Sequence, residues 1–342
     1  MYEVYNLHIR ESEPMPSPAA MKSELPITDA IARTVYEARA TTKRILRGED
    51  PRLLVIVGPC SIHDPAAAIE YAERLRALQD DVRDRLFLVM RTYFEKPRTT
   101  IGWRGLMNDP HLDGSFDMIE GLRQARRLLL AVTALGVPTA TEMLDPIMPQ
   151  YISDLVGVTA VGARTTESQT HRAMASGLSM PVGFKNGTDG SIAAAVNACL
   201  SARHQHSFLG ISEEGQCAVF RTNGNPDSFV VLRGGSSGPN YSAAFVADAL
   251  ARMRKSDLHP AVMVDCSHAN AQGDFQRQEV VWHDLMRQRR AGTPELVGVM
   301  LESNLHEGKQ TLGSDLTQLH YGVSVTDACI GWETTAQLLR AG

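Results

Sequence analysis

Beyond residue 50 the chain alternates short apolar, β-branched runs with longer amphipathic segments. The runs are LLVIV (53–57), LFLVM (86–90), PTATEM (138–143), TAVGAR (159–164), PVGFK (181–185), FVVLR (229–233), AVMVD (261–265) and LVGVMLE (296–302). Their length and composition predict strands. Between them, stretches such as DPAAAIEYAERLRAL (64–78) and MIEGLRQARRLLLAVTAL (118–135) place apolar residues at i, i+3 and i+4, the spacing of a helix with one buried face. Strands alternating with helices imply βαβ units and a parallel sheet. Eight such repeats fit a (β/α)8 barrel, the TIM-barrel architecture, better than an open sheet. FLGISEEGQCAVFRT (208–222) reads as an inserted β-hairpin with Glu214 and Gly215 near its turn. Residues 1–50, polar and carrying Pro at 14, 16, 18 and 26, form an extension ahead of a barrel domain spanning 51–342. Within that extension a helix begins near Ile27, with Thr28 or Asp29 as its cap.

Composition narrows the class. The 342 residues are 43% apolar and 21% charged, as in an ordinary globular protein. With 34 Lys+Arg against 39 Asp+Glu, the net charge of −5 gives no reason to expect nucleic acid as a partner. No apolar run approaches the ~20 residues of a membrane span, and the first residues lack the basic and apolar regions of a secretory signal. Five widely spaced cysteines argue against a disulfide framework. A cytoplasmic protein with no membrane partner is expected.

In a (β/α)8 barrel the chemistry sits at the C-terminal ends of the strands. Here the runs end at Cys60, Arg91, Glu142, Arg164, Lys185, Arg233, Asp265 with His268, and Glu302. Half-exposed strand ends collect polar residues in any barrel, but so many in register point to an active site. Arg91, Lys96, Arg98, Arg164, Lys185 and Arg233 would converge on one mouth, where cations persist because anions neutralise them. Arg forks suit phosphate and carboxylate, and Lys supplies a point charge. Six cations predict more than one anionic group, such as two phosphates and a carboxylate. The loops GPCS (58–61), KNGTDG (185–190) and RGGSSG (233–238) offer backbone N–H groups beside them. Cys60, His268, Glu302 and Asp327 form a second constellation. Singly, Cys60 reads as a small buried residue and His268 as a hydrogen-bonded core histidine. Brought to one barrel face they form a mixed soft and hard donor set suited to one divalent metal ion, Mn, Fe, Co or Zn.

These segments also carry a resemblance. GPCSIHD (58–64), RTYFEKPRTTIGWRGLMNDP (91–110), GARTTESQTHR (162–172), PVGFKNGTDG (181–190), LRGG (232–235), DCSHAN (265–270) and TDACIGWE (326–333) closely resemble the type I 3-deoxy-D-arabino-heptulosonate 7-phosphate (DAHP) synthases of the bacterial and yeast kind. The resemblance runs from about residue 30 to 340. It implies a condensation of phosphoenolpyruvate with D-erythrose 4-phosphate and water, yielding the heptulosonate phosphate and inorganic phosphate at the entry to aromatic amino acid synthesis. It implies that Arg91, Lys96, Arg164, Lys185 and Arg233, with the Gly162–Ala163 turn, hold phosphoenolpyruvate. Lys96, Pro97, Arg98 and Thr99 would take the erythrose phosphate, with Arg98 on its phosphate group. Cys60, His268, Glu302 and Asp327 fall on the family's metal ligands. Lys96 and Glu142 are candidates for proton handling around the attacking water; pairing of Glu142 with a nearby cation is the competing role.

Feedback inhibition by an aromatic amino acid, in a cavity near a subunit interface, is implied too. The segments concerned include the arm around Asn6, LDPIMPQ (144–150) with Pro146 and Gln150, and GLSMP (177–181) with Ser179. NLHI (6–9) and Pro146 look more like the Tyr-sensitive isoforms than the Phe-sensitive ones. A regulatory or oligomer-forming arm and a homodimer or homotetramer are expected. Two departures stand out: Ser236 follows RGG where the family commonly has Lys, and little chain follows the last helix. Three rivals remain: a sibling synthase using arabinose 5-phosphate, a Schiff-base aldolase using Lys185, and a non-catalytic barrel that senses an aromatic amino acid. The KPRT string (96–99) weighs against the first, the Cys/His/Glu/Asp set against the second, and the filled catalytic positions against the third.

Overall fold

The computed structural model describes residues 2, 4–98, 100–313 and 315–342. Its ten strands are β1 Leu53–Gly58, β2 Leu86–Arg91, β3 Thr139–Glu142, β4 Val158–Val161, β5 Val182–Lys185, β6 Ser207–Ile211, β7 Cys217–Arg221, β8 Ser228–Leu232, β9 Val262–Asp265 and β10 Leu296–Glu302. The helices are α1 Pro18–Glu24, α2 Asp29–Leu46, α3 Pro65–Val82, α4 Met118–Ala134, α5 Pro149–Ile152, α6 Gln169–Ala175, α7 Ile192–Ala202, α8 Ala243–Lys255, α9 Gln278–Arg290 and α10 Trp332–Ala341. Eight strands close a parallel barrel in the order β1-β10-β9-β8-β5-β4-β3-β2, while β6 and β7 pair apart from it. The eight apolar runs are these eight strands. The fourth stops three residues short of its predicted end, because Thr165 and Thr166 N–H turn back onto the carbonyl of Gly162.

Period-2 alternation sorts the barrel core into two layers. Leu54, Ile56, Val89, Ala140, Ala160, Phe229, Val231, Met263 and Met300 pack together in the interior. Leu53, Val55, Val57, Leu88, Val264 and Leu301 belong to the larger cluster shared with the helices. Ile45 and Leu46 from the end of α2 join the interior cluster, so α2 closes the bottom of the barrel although it precedes β1. Thr28 caps α2 by accepting from Ile31 N–H. At its other end Lys43 and Arg47 both reach Asp227, at 2.9 and 2.8 Å, just ahead of β8.

The first part of the chain is tied to the hairpin. Ala19 N–H donates to the Glu213 carbonyl (2.9 Å), and Lys22 pairs with the Glu213 side chain (2.7 Å). Tyr151 in α5 donates to the Pro16 carbonyl (2.7 Å), while Arg126 donates to the carbonyls of Leu25 and Tyr151 and forks onto Asp154. Gly215 sits in the β6–β7 turn with φ +83°, a conformation that favours glycine.

Candidate active site

The same alternation that builds the apolar interior delivers the chemistry. Two residues beyond an interior apolar side chain come Arg91 (after Val89), Glu142 (after Ala140), Arg233 (after Val231), Asp265 (after Met263) and Glu302 (after Met300), and Lys185 follows Gly183 in the same way. The top of the barrel is thus an ionic layer resting on a dry one. Arg91 and Glu302 are both buried and meet at 3.1 Å. Arg91 also donates to the carbonyls of Pro59 (3.0 Å) and Cys60 (3.1 Å), and its guanidinium lies 3.5 Å from the centre of the Tyr93 ring. Glu302 is held through its own backbone: its N–H donates to Gln278 Oε1 (2.8 Å) and its carbonyl accepts from Gln278 Nε2 (3.0 Å).

Three of the four expected metal ligands converge. Donor atoms of Cys60, Glu302 and Asp327 all lie within 4.8 Å of one another. His268 stands at the edge of this set, with Nε2 3.7 Å from Glu302 Oε1. Its Nδ1 faces Asp265 Oδ2 (2.9 Å) and Ser267 Oγ (2.7 Å). With the proton on Nδ1, Nε2 turns a lone pair toward a carboxylate oxygen, an arrangement a cation stabilises. Burial pushes the Cys60 thiol up to about 11, and Glu302 adds to this against the pull of Lys96. Lys96 Nζ lies 3.0 Å from Cys60 Sγ and 2.7 Å from Asp327 Oδ2. Burial acts against the charge on both Lys96 and Asp327, yet Cys60, Glu302 and Asp327 raise the ammonium, and Lys96 holds the Asp327 carboxyl below its usual range. One thiol, one imidazole nitrogen and two carboxylates around a point that attracts positive charge fit a divalent transition-metal ion.

Beside this set lies a cavity of about 210 Å³ lined by Arg91, Tyr93, Glu95, Lys96, Pro97, Glu142, Gly162, Ala163, Arg164, Lys185, Thr188, Arg233 and His268. All five cations expected to grip phosphoenolpyruvate line it. Arg91 Nη1, Tyr93 Oη and Glu142 Oε1 are buried there without a hydrogen-bond partner in the protein, so water or a polar ligand in the cavity must satisfy them. A Cβ at Gly162 would lie 2.2 Å from Glu142 Oε1, so the glycine leaves room for the Glu142 carboxylate in its present position. Burial lowers the Arg233 guanidinium, with Asp265 opposing and Arg164 adding to the effect. A wider cavity of about 560 Å³ opens outward and adds Arg98, Thr100, Ile101, Lys309 and Asp327. Arg98 donates from Nε to the Trp103 carbonyl (2.8 Å), and Thr99 lies outside the described residues.

A separate cavity of about 310 Å³ lies between α5, the end of α6 and the hairpin. Pro146 and Gln150 line it together with Ser176, Gly177, Leu178 and the aromatic pair Phe208 and Phe220, whose rings stack at 5.5 Å. Exposed Ser179 and the arm residue Asn6 are not among its lining residues.

Sequence reasoning left Tyr93, Glu95 and Gln278 unmentioned. Tyr93 and Glu95 continue the interior alternation of β2 past Arg91, which is a usable signal. Burial raises the Glu95 carboxyl to about 7, with Asp145 and Glu142 adding to the shift and Arg104 opposing it. Gln278 carries no such signal, since it acts across space on a strand 24 residues away.

Among the described residues no helix is long and apolar enough to cross a membrane. Residues 30–340 match the model of the DAHP synthetase I family. Over 335 residues, 98% of this chain and 94% of the relative, the sequence is 53% identical to the Tyr-sensitive phospho-2-dehydro-3-deoxyheptonate aldolase of Escherichia coli strain K12. The Phe-sensitive enzyme of the same organism is 51% identical over 339 residues, 99% of this chain and 96% of the relative. The structure of the phospho-2-dehydro-3-deoxyheptonate aldolase from Francisella tularensis SCHU S4 superposes with a TM-score of 0.95 at 45% identity, covering 97% of this chain and 96% of that one. A parallel eight-stranded barrel with this ionic layer, and a match spanning nearly its whole length, leave one assignment: the chain belongs to the DAHP synthetase I family.

Proposed function

We propose that the chain condenses phosphoenolpyruvate with D-erythrose 4-phosphate and water to give 3-deoxy-D-arabino-heptulosonate 7-phosphate and inorganic phosphate. The observation that supports this most is the 210 Å³ cavity, where five cations surround three unpartnered buried polar atoms beside a mixed donor set. Arg91, Lys96, Arg164, Lys185 and Arg233 hold the phosphate and carboxylate of phosphoenolpyruvate, and Arg98 takes the phosphate of the aldose at the wider mouth. Cys60, His268, Glu302 and Asp327 hold one divalent ion, of which Mn, Fe, Co and Zn all suit a thiolate-containing set. Such an ion, when bound, supplies Lewis-acid polarisation of the aldehyde oxygen.

The cations fix the enol carbon C3 against the aldehyde carbon, which removes the entropic cost of bringing two anions together. As the C3–C1 bond forms, an electron pair moves onto the aldehyde oxygen and C2 becomes electron-poor. Water adds to C2, and its proton passes to Glu142, whose Oε1 faces the cavity without another partner. The C2–O bond to phosphate then breaks as the C2 hydroxyl gives its proton to the departing phosphate and becomes the ketone. The proton on Glu142 passes to the former aldehyde oxygen, and Arg and Lys neutralise the departing charge. Comparing rates with erythrose 4-phosphate and arabinose 5-phosphate tests the assignment. A strong preference for the four-carbon aldose is expected, and a preference for the five-carbon one would move the chain to the sibling reaction.

A second reading concerns control. The 310 Å³ cavity combines an aromatic wall with Gln150 and Ser176, which suits the ring and polar ends of a free aromatic amino acid. We infer tyrosine rather than phenylalanine, in keeping with the Tyr-sensitive relatives. Inhibition by saturating tyrosine is the expected result; inhibition by phenylalanine alone would reverse the choice. Residues 1–50 act as the regulatory arm, and the exposed Tyr2, Val4, Tyr5, Leu7 and Ile9 suit burial against a second copy in a homodimer or homotetramer. The five unpaired cysteines fit a cytoplasmic setting.

A further inference from the structure

One carboxylate stands between the two halves of the site. Asp265, the last residue of β9, is fully buried. Its Oδ2 lies 2.8 Å from Lys185 Nζ and 2.9 Å from His268 Nδ1. Its Oδ1 accepts from Ser267 N–H (3.0 Å) and from Ser267 Oγ (2.6 Å), and that hydroxyl oxygen is itself 2.7 Å from His268 Nδ1. His268 has φ +56°, so its backbone conformation is one that few side chains adopt, and the tie to Asp265 and Ser267 offsets that cost. A single oxygen therefore serves a lysine that faces the anion cavity and a histidine that faces the donor set.

We propose that Asp265 is a positioning residue that couples the two, so that occupancy at His268 changes the affinity of Lys185 for phosphoenolpyruvate. This rests on the roles given above to Lys185 and His268. When His268 gives its Nε2 lone pair to a cation, its Nδ1–H becomes the stronger donor and draws Oδ2 toward the imidazole. The same oxygen then holds Lys185 less firmly, and the ammonium turns its charge to the incoming anion. Linkage requires the effect to be reciprocal: phosphoenolpyruvate on Lys185 leaves Asp265 to His268 and tightens the histidine on its cation.

Binding measurements test this without turnover. Mn²⁺ affinity is read from the electron paramagnetic resonance of the free ion. Phosphoenolpyruvate affinity is read by calorimetry, with and without saturating Mn²⁺. In Asp265→Asn the Kd for Mn²⁺ is expected to rise about 10–100-fold, and the gain in phosphoenolpyruvate affinity on adding Mn²⁺ is expected to shrink at least about threefold. Ser267→Ala keeps both charges and removes only the hydroxyl between Asp265 and His268; a rise of about threefold or more in the Mn²⁺ Kd is expected. It decides the matter if Asp265→Asn does not fold by circular dichroism. His268→Ala must weaken Mn²⁺ and Lys185→Met must weaken phosphoenolpyruvate, or the underlying roles fail. If those two behave as stated while folded Asp265→Asn or Ser267→Ala binds Mn²⁺ as the wild type does, or Asp265→Asn keeps the full metal-induced gain, the coupling is overturned on its own.

Discussion

Arg91 Nη2 and Glu302 Oε1 meet at 3.1 Å with each side chain only 2% exposed, so the strand end proposed to grip an anion also steadies a carboxylate of the mixed donor set. Arg91→Met would leave Glu302 buried without its partner, a loss of about 3–5 kcal/mol. Arg91→Lys does not repair it, because one ammonium cannot reach Pro59, Cys60 and Glu302 and also stack on Tyr93. Thermal denaturation with the KM for phosphoenolpyruvate checks this: both variants should melt earlier and bind more weakly. A lysine variant with wild-type values would show that the fork is dispensable.

Glu142→Gln should lower kcat by about 10²–10⁴-fold with small changes in either KM. No protein hydrogen bond of Oε1 is lost, so the melting temperature should stay close to the wild type. Steady-state kinetics on both substrates separates this from a structural role, in which stability would fall and kcat would hold.

Much of this site is legible in the chain because period-2 alternation continues past the apolar layer. Arg91, Glu142, Lys185, Arg233, Asp265 and Glu302 occupy the next interior position after a small or apolar residue, and a strand end is where such a position turns ionic. The alternation also runs on to Tyr93 and Glu95, but the apolar run on β2 ends at Met90, so the period-2 spacing alone marks the following loop as a continuation of the wall. The grip of Gln278 on Glu302 was beyond reach for a different reason. It depends on the first turn of α9 lying against β10, which is a matter of packing rather than of local pattern. The double use of Asp265 Oδ2 is likewise a property of two strand ends, those of β5 and β9, brought together by closure of the barrel.

Glu95 should make stability depend on pH. Its folded carboxyl is raised to about 7 from an ordinary 4.5, chiefly by burial. The folded state therefore binds the proton more tightly than the unfolded chain. The contribution is fully present below pH 4.5 and is lost as pH rises through 7, by an amount on the order of 3 kcal/mol. Glu95→Gln should lose this dependence, gaining stability over the wild type at pH 8 and matching it near pH 4. Denaturation midpoints measured across that range, identical in slope for both proteins, would contradict it.

Phe208 forms part of the aromatic wall of the second cavity and is remote in the chain from every strand end of the barrel mouth. Phe208→Ala should raise the tyrosine concentration for half-inhibition about tenfold, the loss expected from one buried aromatic contact. Turnover without effector should stay within about twofold of the wild type. Dose–response curves for both proteins give the answer, and unchanged inhibition would place the effector elsewhere.

The most direct test of the central claim is to follow loss of phosphoenolpyruvate and release of inorganic phosphate together, with erythrose 4-phosphate present. The rates are compared before EDTA, after EDTA, and after Mn²⁺ is restored. One phosphate should appear for each phosphoenolpyruvate consumed, the rate should collapse with EDTA, and Mn²⁺ should bring it back. Absence of turnover with every divalent metal tried, or turnover indifferent to EDTA, would contradict the account.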